Sequence, residues 1–256
     1  PAPRNRLGRW WPAALTVPAA VLIAAIVVPA VELSRWLLTA GPRWNSGNWL
    51  AALGSTVWLS IIGALVCTVA ALPLGVLAAR YPGRVTRVLE AASYVAHGLP
   101  AIVIGISMVA LGVVLLRPIY QREPLLILAY AVLLVPLAVG SVRTAVQATP
   151  VRLEEVARSL GRSPFRAFTA VTARLSAPGI AAAAALVLLT CMKELPVTLL
   201  LRPTGTDSLA TRLWGYCVVS DYAAAAPYAA ALLVFAAVPT AALGVWSTGS
   251  SEVRSD

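Results

Sequence analysis

Long apolar stretches alternate with short charged connections along this chain. Six stretches reach the length of about 20 apolar residues that a bilayer-crossing helix needs. They cover approximately Pro12–Leu33, Trp49–Ala79, Ala91–Leu116, Leu125–Val142, Ile180–Leu201 and Ala224–Trp246. Each is predicted to be helical, because a membrane-spanning segment must satisfy its own backbone polar groups. The pattern therefore predicts an all-α polytopic membrane protein with about six transmembrane helices.

Composition agrees with this class. Of 256 residues, 59% are hydrophobic and 12% are charged, whereas a soluble domain carries about 25% charged residues. The net charge of +10 arises from 20 basic and 10 acidic residues. Most of the basic residues, including Arg80, Arg143 and Arg174, fall on one side of the predicted bundle. That side is predicted to be cytoplasmic, with both termini on it. Topology thus accounts for the basic excess, and no nucleic-acid partner is expected.

The sequence offers little catalytic or metal-binding chemistry. The three cysteines, Cys67, Cys191 and Cys217, are far apart and are predicted to be small core residues. The single histidine, His97, has no neighbouring Cys or His. We therefore predict no metal site and no cofactor bound by this chain. No phosphate-binding loop of the GxxxxGK[ST] pattern occurs either, so any nucleotide must bind elsewhere.

The connection between the fourth and fifth stretches, at about residues 150–175, is long and charged. A helix is predicted to begin after Pro150, with Glu154 and Glu155 in its first turns. Apolar residues recur at helical spacing at Val156, Leu160, Phe165 and Phe168. Gly161 and Pro164 interrupt the pattern, which predicts two short helices with a turn between them. Such a segment suits a groove on another protein or a position among lipid headgroups, and the residues alone leave both open.

The run Glu-Val-Ala-Arg-Ser-Leu-Gly at 155–161, followed by Val-Thr-Ala-Arg at 171–174, resembles the EAA loop of type I ABC importer permeases. Within Glu-Val-Ala-Arg-Ser-Leu-Gly at 155–161, Glu155, Ala157 and Gly161 match the family pattern at its spacing, and Val171 stands in for its Ile. Ala173–Arg174 departs from the Leu-Pro that ends the pattern. The family's loop docks into a cleft on a cytoplasmic ATPase. The resemblance thus implies that the four matching residues are coupling residues, that two ABC ATPase subunits are partners and that those subunits use the ATP. Gly161 is expected to occupy a turn that a side chain would crowd.

A second resemblance concerns the substrate. The run Met-Lys-Glu-Leu-Pro-Val-Thr-Leu-Leu-Leu-Arg-Pro at 192–203 is similar to the ferric-iron branch of these permeases. Together with similar segments at 48–60, 71–84 and 98–105, the resemblance covers about residues 50–248. It implies a permease domain over 48–248, preceded by a tail and first helix over 1–47 and followed by a tail over 249–256. It also implies the C-terminal half of a fused permease, or a half-size subunit that pairs with a second half or a copy of itself. An extracytoplasmic substrate-binding protein is implied as well.

Charged residues near the end of the fifth stretch allow two interpretations. Lys and Glu within a hydrophobic span are costly unless they are paired or face water. Lys193 and Glu194, followed by Pro196, are therefore expected to lock the helix end as an ion pair or cap, or to line the pathway as a gate. A direct role of Glu194 as an iron ligand is less favoured, because hard cations need several oxygen ligands. Asp207 and Asp221 are expected to be turn residues rather than contacts to a binding protein.

We therefore expect a permease subunit of the bacterial cytoplasmic membrane that performs no enzymatic reaction. It would import ferric iron by alternating access, driven by separate ATPase subunits. Thiamine, polyamine and phosphonate permeases share the loop and the helix pattern and remain alternatives. An ion-driven carrier or channel would need ionisable groups near the membrane midplane. The candidates are Lys193, Glu194, Glu90 and His97, and the last two are expected near span ends.

Overall fold

The structure, a computed structural model, describes residues 11–40 and 49–252. Within these ranges it is helical and contains no strand. The α-helices are α1 (Trp11–Ala40), α2 (Trp49–Arg80), α3 (Arg84–His97), α4 (Ala101–Val114), α5 (Glu123–Gln147), α6 (Val151–Ser159), α7 (Pro164–Ala167), α8 (Arg174–Lys193), α9 (Pro196–Leu201), α10 (Leu209–Val218) and α11 (Tyr222–Glu252). A 3₁₀ turn, Arg117–Ile119, precedes α5, and a π-helical segment, Phe168–Ala173, joins α7 to α8.

Five helical segments in the described part of the chain are long and apolar enough to cross a membrane. They are Pro12–Thr39, Trp49–Arg80, Glu123–Gln147, Pro164–Lys193 and Tyr222–Ala241. The remaining predicted span, Ala91–Leu116, contains α4, a shorter apolar helix. The predicted all-α membrane fold is confirmed. Several basic residues used to predict the orientation, such as Arg4, Arg6, Arg9, Arg43 and Arg254, lie outside the described residues.

The third predicted span, Ala91–Leu116, is not one helix. The helix is interrupted at Gly98–Pro100, between α3 and α4. Pro100 has no N–H to continue the helix and disfavours helical geometry at Leu99. Its extended ψ of 135° places its carbonyl as acceptor for the first N–H groups of α4. Helix α3 also begins at Arg84 rather than at Ala91, so this region forms two shorter helices instead of one long span.

The fifth predicted span, Ile180–Leu201, differs at both ends. Its helix begins at Pro164, runs through the π-helical segment and ends at Lys193, before α9. The second of the two predicted short helices is thus the first part of a long helix. No Gly or Pro lies between Pro164 and Pro178 to end it. Ala173 and Arg174, which depart from the family pattern, both continue this helix.

The bundle is centred on α2, α5 and α8, which pack against one another. Tyr130 on α5 is fully buried and its carbonyl accepts a hydrogen bond from Cys67 Sγ at 3.6 Å. Cys67 and Cys191 are buried, as predicted, whereas Cys217 is half-buried. At Gly75, α2 approaches α5 so closely that an added Cβ would lie 2.7 Å from Val142 Cγ1. The absence of a side chain at Gly75 therefore sets the distance between these two helices.

The first helix lies outside this core. It packs against α11, where the Trp36 and Tyr222 rings lie 5.5 Å apart. Its apolar residues are exposed along its length, including Leu15, Ile23 and Ile26. A helix that is apolar on all sides and exposed in this way suits contact with lipid.

Candidate functional site

The connection that resembles the EAA loop forms a compact helical corner. Helix α6 ends in a Schellman motif, in which Gly161 N–H donates to Arg158 O at 3.0 Å and Arg162 N–H donates to Ala157 O at 3.3 Å. Gly161 has φ +85°, which L side chains rarely adopt. An added Cβ there would meet no atom within 4 Å. The expectation that a side chain would be crowded at Gly161 is thus wrong, because backbone conformation, not space, requires glycine.

The next helix starts immediately after this corner. The Ser163 side chain accepts a hydrogen bond from Arg166 N–H at 3.4 Å, and Pro164 occupies the first helical position. Both are favoured at a helix start. The predicted turn at Gly161–Pro164 is therefore present, and it directs the chain from α6 back toward the bundle.

Three side chains, which we call the Arg80–Thr172–Glu154 bridge, tie α6 to the bundle. Thr172 Oγ1 donates to Glu154 Oε2 at 2.6 Å and accepts from Arg80 Nη2 at 3.2 Å. Thr172 lies in the π-helical segment and is fully buried, while Arg80 is the last residue of α2. The bridge thus joins α2, α6 and the start of the long helix at one end of the bundle.

The residues implied as coupling residues lie on different faces. Glu155 is exposed, Ala157 is buried, Gly161 is at the exposed corner and Val171 is half-buried. Val156 and Leu160 are 55% and 78% exposed. The outward face of α6 and its corner therefore carries one carboxylate and two apolar side chains. The inward face of α6 is tied to the bundle by the Arg80–Thr172–Glu154 bridge.

The sequence interpretation missed the members of the bridge. Glu154 lies three residues before Ala157, so a helix must place both on one face. This spacing could have indicated that Glu154, rather than Glu155, points inward. The partners Thr172 and Arg80 lie 18 and 74 residues away in sequence from Glu154, and no local pattern indicates them.

Glu194 caps α9. Its Oε1 accepts from Val197 N–H at 3.1 Å, and its Oε2 accepts from Thr198 N–H at 3.0 Å and Thr198 Oγ1 at 2.9 Å. Thr198 Oγ1 also lies 2.6 Å from Tyr130 Oη, which connects the cap to α5. Both carboxylate oxygens are therefore occupied within the protein, in a buried position. Two roles were considered for Glu194, one at the helix end as an ion pair or cap and one as a pathway gate. This geometry is that of the helix cap.

The neighbours of Glu194 have different surroundings. Lys193 is exposed, and no carboxylate of the described residues lies within salt-bridge distance of it. Pro196 is exposed and occupies the first position of α9. Asp207 bridges two arginines, pairing with Arg202 and, at 2.7 Å, with Arg212. Asp207 is thus more than a turn residue.

Asp221 behaves as expected of a residue at a turn. Its Oδ1 accepts a hydrogen bond from Ala224 N–H at 3.1 Å. It therefore caps the first turn of α11.

His97 lies deeper than its predicted position near a span end. Its Nδ1 is 3.3 Å from Leu133 O, close to the middle of α5. Because α3 starts earlier than expected, its last residue reaches this depth. In the middle of α3, Glu90 forms an ion pair with Arg143 of α5. The described residues contain no group of three His, Cys, Asp or Glu that could hold a metal ion.

Comparison with known proteins assigns the chain to a family. Residues 71–248 match the family of binding-protein-dependent transport system inner membrane components. The chain belongs to this family. It is accordingly a multi-pass membrane component of a transport system, as its long apolar helices indicate.

Individual relatives extend this assignment. The Fe(3+)-transport system permease protein FbpB 2 of Haemophilus influenzae is 35% identical over 222 residues, which are 86% of this chain and 44% of that protein. The chain thus spans less than half the length of this relative. The resemblance to ferric-iron permeases is confirmed as sequence similarity.

Solved structures show the same fold. A bacterial alginate ABC transporter in complex with a periplasmic protein has a TM-score of 0.72 at 15% identity, covering 91% of this chain and 92% of that one. The MetNI methionine ABC transporter in an inward-facing conformation has a TM-score of 0.66 at 18% identity, covering 78% and 95%. At these identities the likeness establishes fold and not substrate.

Proposed function

We propose that this chain is the permease part of an ATP-driven importer for ferric iron. The 35% identity to a ferric-iron permease, together with the Lys-Glu-Leu-Pro run at 193–196, is the observation that supports iron over thiamine, polyamine or phosphonate. A binding protein outside the membrane delivers the ion, and two ATPase subunits supply the energy. The chain itself carries out no chemical reaction and holds no cofactor. It pairs with a second permease half, either fused to it or a separate copy.

The corner formed by α6 and Gly161 receives the movement of the ATPase. Its outward face presents Glu155, Val156 and Leu160, which suits the groove of a partner protein better than a lipid surface, since the Arg80–Thr172–Glu154 bridge ties it to α2 and to the long helix. A rigid connection transmits displacement to α2 and to the long helix at once. Alternating access follows if the two ATPase states hold this corner in different positions.

This assignment also orients the chain. The end of the bundle that carries α6 includes Arg80 and Arg174, two members of the basic cluster predicted to be cytoplasmic. The ATPases bind at this end and both termini lie on the same side. The opposite end, with Asp207 and its two arginines, faces the binding protein.

Reconstitution of the complete transporter in liposomes tests the function. We expect uptake of ferric iron that requires ATP and the binding protein. Uptake driven by an ion gradient without ATP would refute the importer, and uptake of thiamine in preference to iron would refute the substrate. Glu155→Arg should abolish co-purification with the ATPase, whereas Glu32→Arg, on the exposed first helix, should not. A complex that survives Glu155→Arg would refute the coupling surface.

A further inference from the structure

Helices α3 and α5 border an open cleft of about 450 Å³, lined by both polar and apolar residues. On α3, its lining residues are Glu90, Tyr94 and His97, which share one helical face at spacings of four and three residues. On α5 it is lined by Ser141, Arg143 and Thr144, among others. The opposite face of α3 is apolar and exposed, with Val88 and Val95. Helix α3 therefore presents a polar face to the cleft and an apolar face away from it.

The cleft leads from the α6 end of the bundle to its middle. Glu90 pairs with Arg143, near the end of α5, and His97 contacts the carbonyl of Leu133, about halfway along that helix. Directly after His97, the non-helical residues Gly98–Pro100 are exposed. Non-helical backbone at membrane depth is tolerated only against protein or a water-filled cavity. This face must therefore border an aqueous passage or a second subunit rather than lipid.

The polar face of α3 carries donors for a hard metal ion. A carbonyl can only accept, so His97 donates from Nδ1 to Leu133 O, and in the neutral imidazole Nε2 is then the acceptor. The Tyr94 ring packs at Gly140, where an added Cβ would lie 2.7 Å from Tyr94 Oη. No described residue forms a hydrogen bond with that hydroxyl. A carboxylate, a phenol and an imidazole thus face one cleft.

Their spacing excludes a single closed site. Along a helix, Glu90 and Tyr94 are about 6 Å apart and Glu90 and His97 about 10 Å apart. One small ion cannot be bound by all three at once. The three side chains instead form successive positions along the cleft, in agreement with the lack of a three-ligand metal group among the described His, Cys, Asp and Glu residues.

We propose that Glu90, Tyr94 and His97 form a ladder of transient ligands along which ferric iron leaves the middle of the membrane toward the ATPase side. This proposal rests on the proposed ferric-iron function. Arg143 competes with the ion for Glu90 and keeps binding at that position weak, since passage requires binding that is strong enough for the ion to enter and weak enough for it to leave. Neither the coupling corner nor the Glu194 cap takes part in this step.

Thiol labelling tests whether the cleft contains water, independently of the substrate. The assay uses the complete transporter in inside-out vesicles, with Cys217 replaced by Ser and the buried Cys67 and Cys191 retained. A membrane-impermeant maleimide should label Tyr94→Cys and His97→Cys about tenfold faster than Val95→Cys, because maleimides react with the thiolate in water. Val95 is the matched control, since it is next to Tyr94 in sequence but lies on the apolar face of α3. Equal labelling of the two faces, or faster labelling of Val95→Cys, would overturn the aqueous passage.

Ferric-iron uptake by the same transporter tests the ligand role. Glu90→Gln should lower uptake by about ten- to hundredfold, the range seen when groups of a metal site are removed, without a matching loss of ATP hydrolysis. Glu32→Gln on α1 is the control for loss of a carboxylate. Arg143→Gln, which removes the competing cation, should retain more ferric iron on the washed protein than the wild type does, and Glu90→Gln should retain less. If the ion pair were only structural, Arg143→Gln and Glu90→Gln would change the retained ferric iron in the same direction, and that result would overturn the ladder.

The two assays separate this inference from the proposed function. If the wild-type transporter takes up no ferric iron, the ferric substrate and the ligand ladder are both overturned. Selective labelling of Tyr94→Cys and His97→Cys would then still support an aqueous passage for another substrate. Normal ferric uptake with equal labelling of both faces of α3 would leave the importer intact and overturn the passage.

Discussion

Removal of the Glu194 carboxylate tests whether this residue acts as a structural cap. In Glu194→Ala, the N–H groups of Val197 and Thr198 lose the acceptors that now lie 3.1 and 3.0 Å away. Both residues are fully buried, so water cannot easily replace the carboxylate. The Thr198 hydroxyl keeps Glu194 O and Tyr130 Oη as partners. The loss therefore falls mainly on two backbone donors.

The magnitude follows from these two donors. A buried donor left without a partner costs about 1–3 kcal/mol. Taking about 1.5 kcal/mol for each of the two donors gives a loss of about 3 kcal/mol in the free energy of unfolding. For a domain of this size, about 1 kcal/mol shifts the midpoint of thermal unfolding by about 2–4 °C. We therefore expect a decrease of about 6–12 °C for Glu194→Ala. Glu194→Gln keeps one acceptor oxygen and should lose about half as much.

Thermal unfolding of the detergent-solubilised protein, followed by circular dichroism, measures this shift. Lys193→Ala is the matched control, because Lys193 is adjacent but exposed, and its change should stay within about 0.5 kcal/mol. A shift for Glu194→Ala no larger than that of the control would refute the cap. A loss of transport with unchanged stability would instead favour the gate.

Three further substitutions test the packing and the coupling corner. Thr172→Val keeps the shape but removes the hydroxyl between Arg80 and Glu154; uptake should fall by about tenfold, equivalent to one charged hydrogen bond, while ATP hydrolysis continues. An equal fall in both activities would contradict a coupling role. Gly75→Ala should lower stability by about 1–3 kcal/mol through overpacking against α5, measured by thermal unfolding against Gly54→Ala, where a Cβ meets no atom within 4 Å. Gly161→Ala should cost about 1–2 kcal/mol because of its positive φ; a neutral effect would mean that the corner adopts another conformation.

Much of the helical pattern could be predicted from local features. Apolar runs longer than a bilayer predict helices regardless of their neighbours, and α2, α5 and α11 lie close to the expected positions. The corner at Gly161 was equally local, since glycine and a following proline end one helix and start another. The expected reason for glycine at position 161, crowding of a side chain, was nevertheless wrong. Crowding depends on atoms from other parts of the chain, whereas the positive φ that requires glycine depends on the local backbone.

Where the prediction failed, the deciding factor was the depth or direction of a side chain. Hydropathy does not distinguish a helix that crosses from one that breaks halfway, so Ala91–Leu116 was predicted as a single span. In the structure the helix ends before Gly98–Pro100. His97, the last residue of α3, lies beside the middle of α5, and Glu90 lies opposite Arg143. Similarly, Lys193 and Glu194 are adjacent in sequence, yet one is exposed and the other caps a helix.

The sequence by itself determined the membrane class, the positions of α2, α5 and α11 and the position of the charged corner, because each depends on the length and composition of one segment. Only the tertiary structure decided which polar groups meet. The Arg80–Thr172–Glu154 bridge and the α3–α5 cleft join residues from separate helices, and their partnerships depend on the rotation and depth at which those helices pack. A few ångströms of translation or one residue of rotation would separate these side chains, and no single segment of the sequence specifies either quantity.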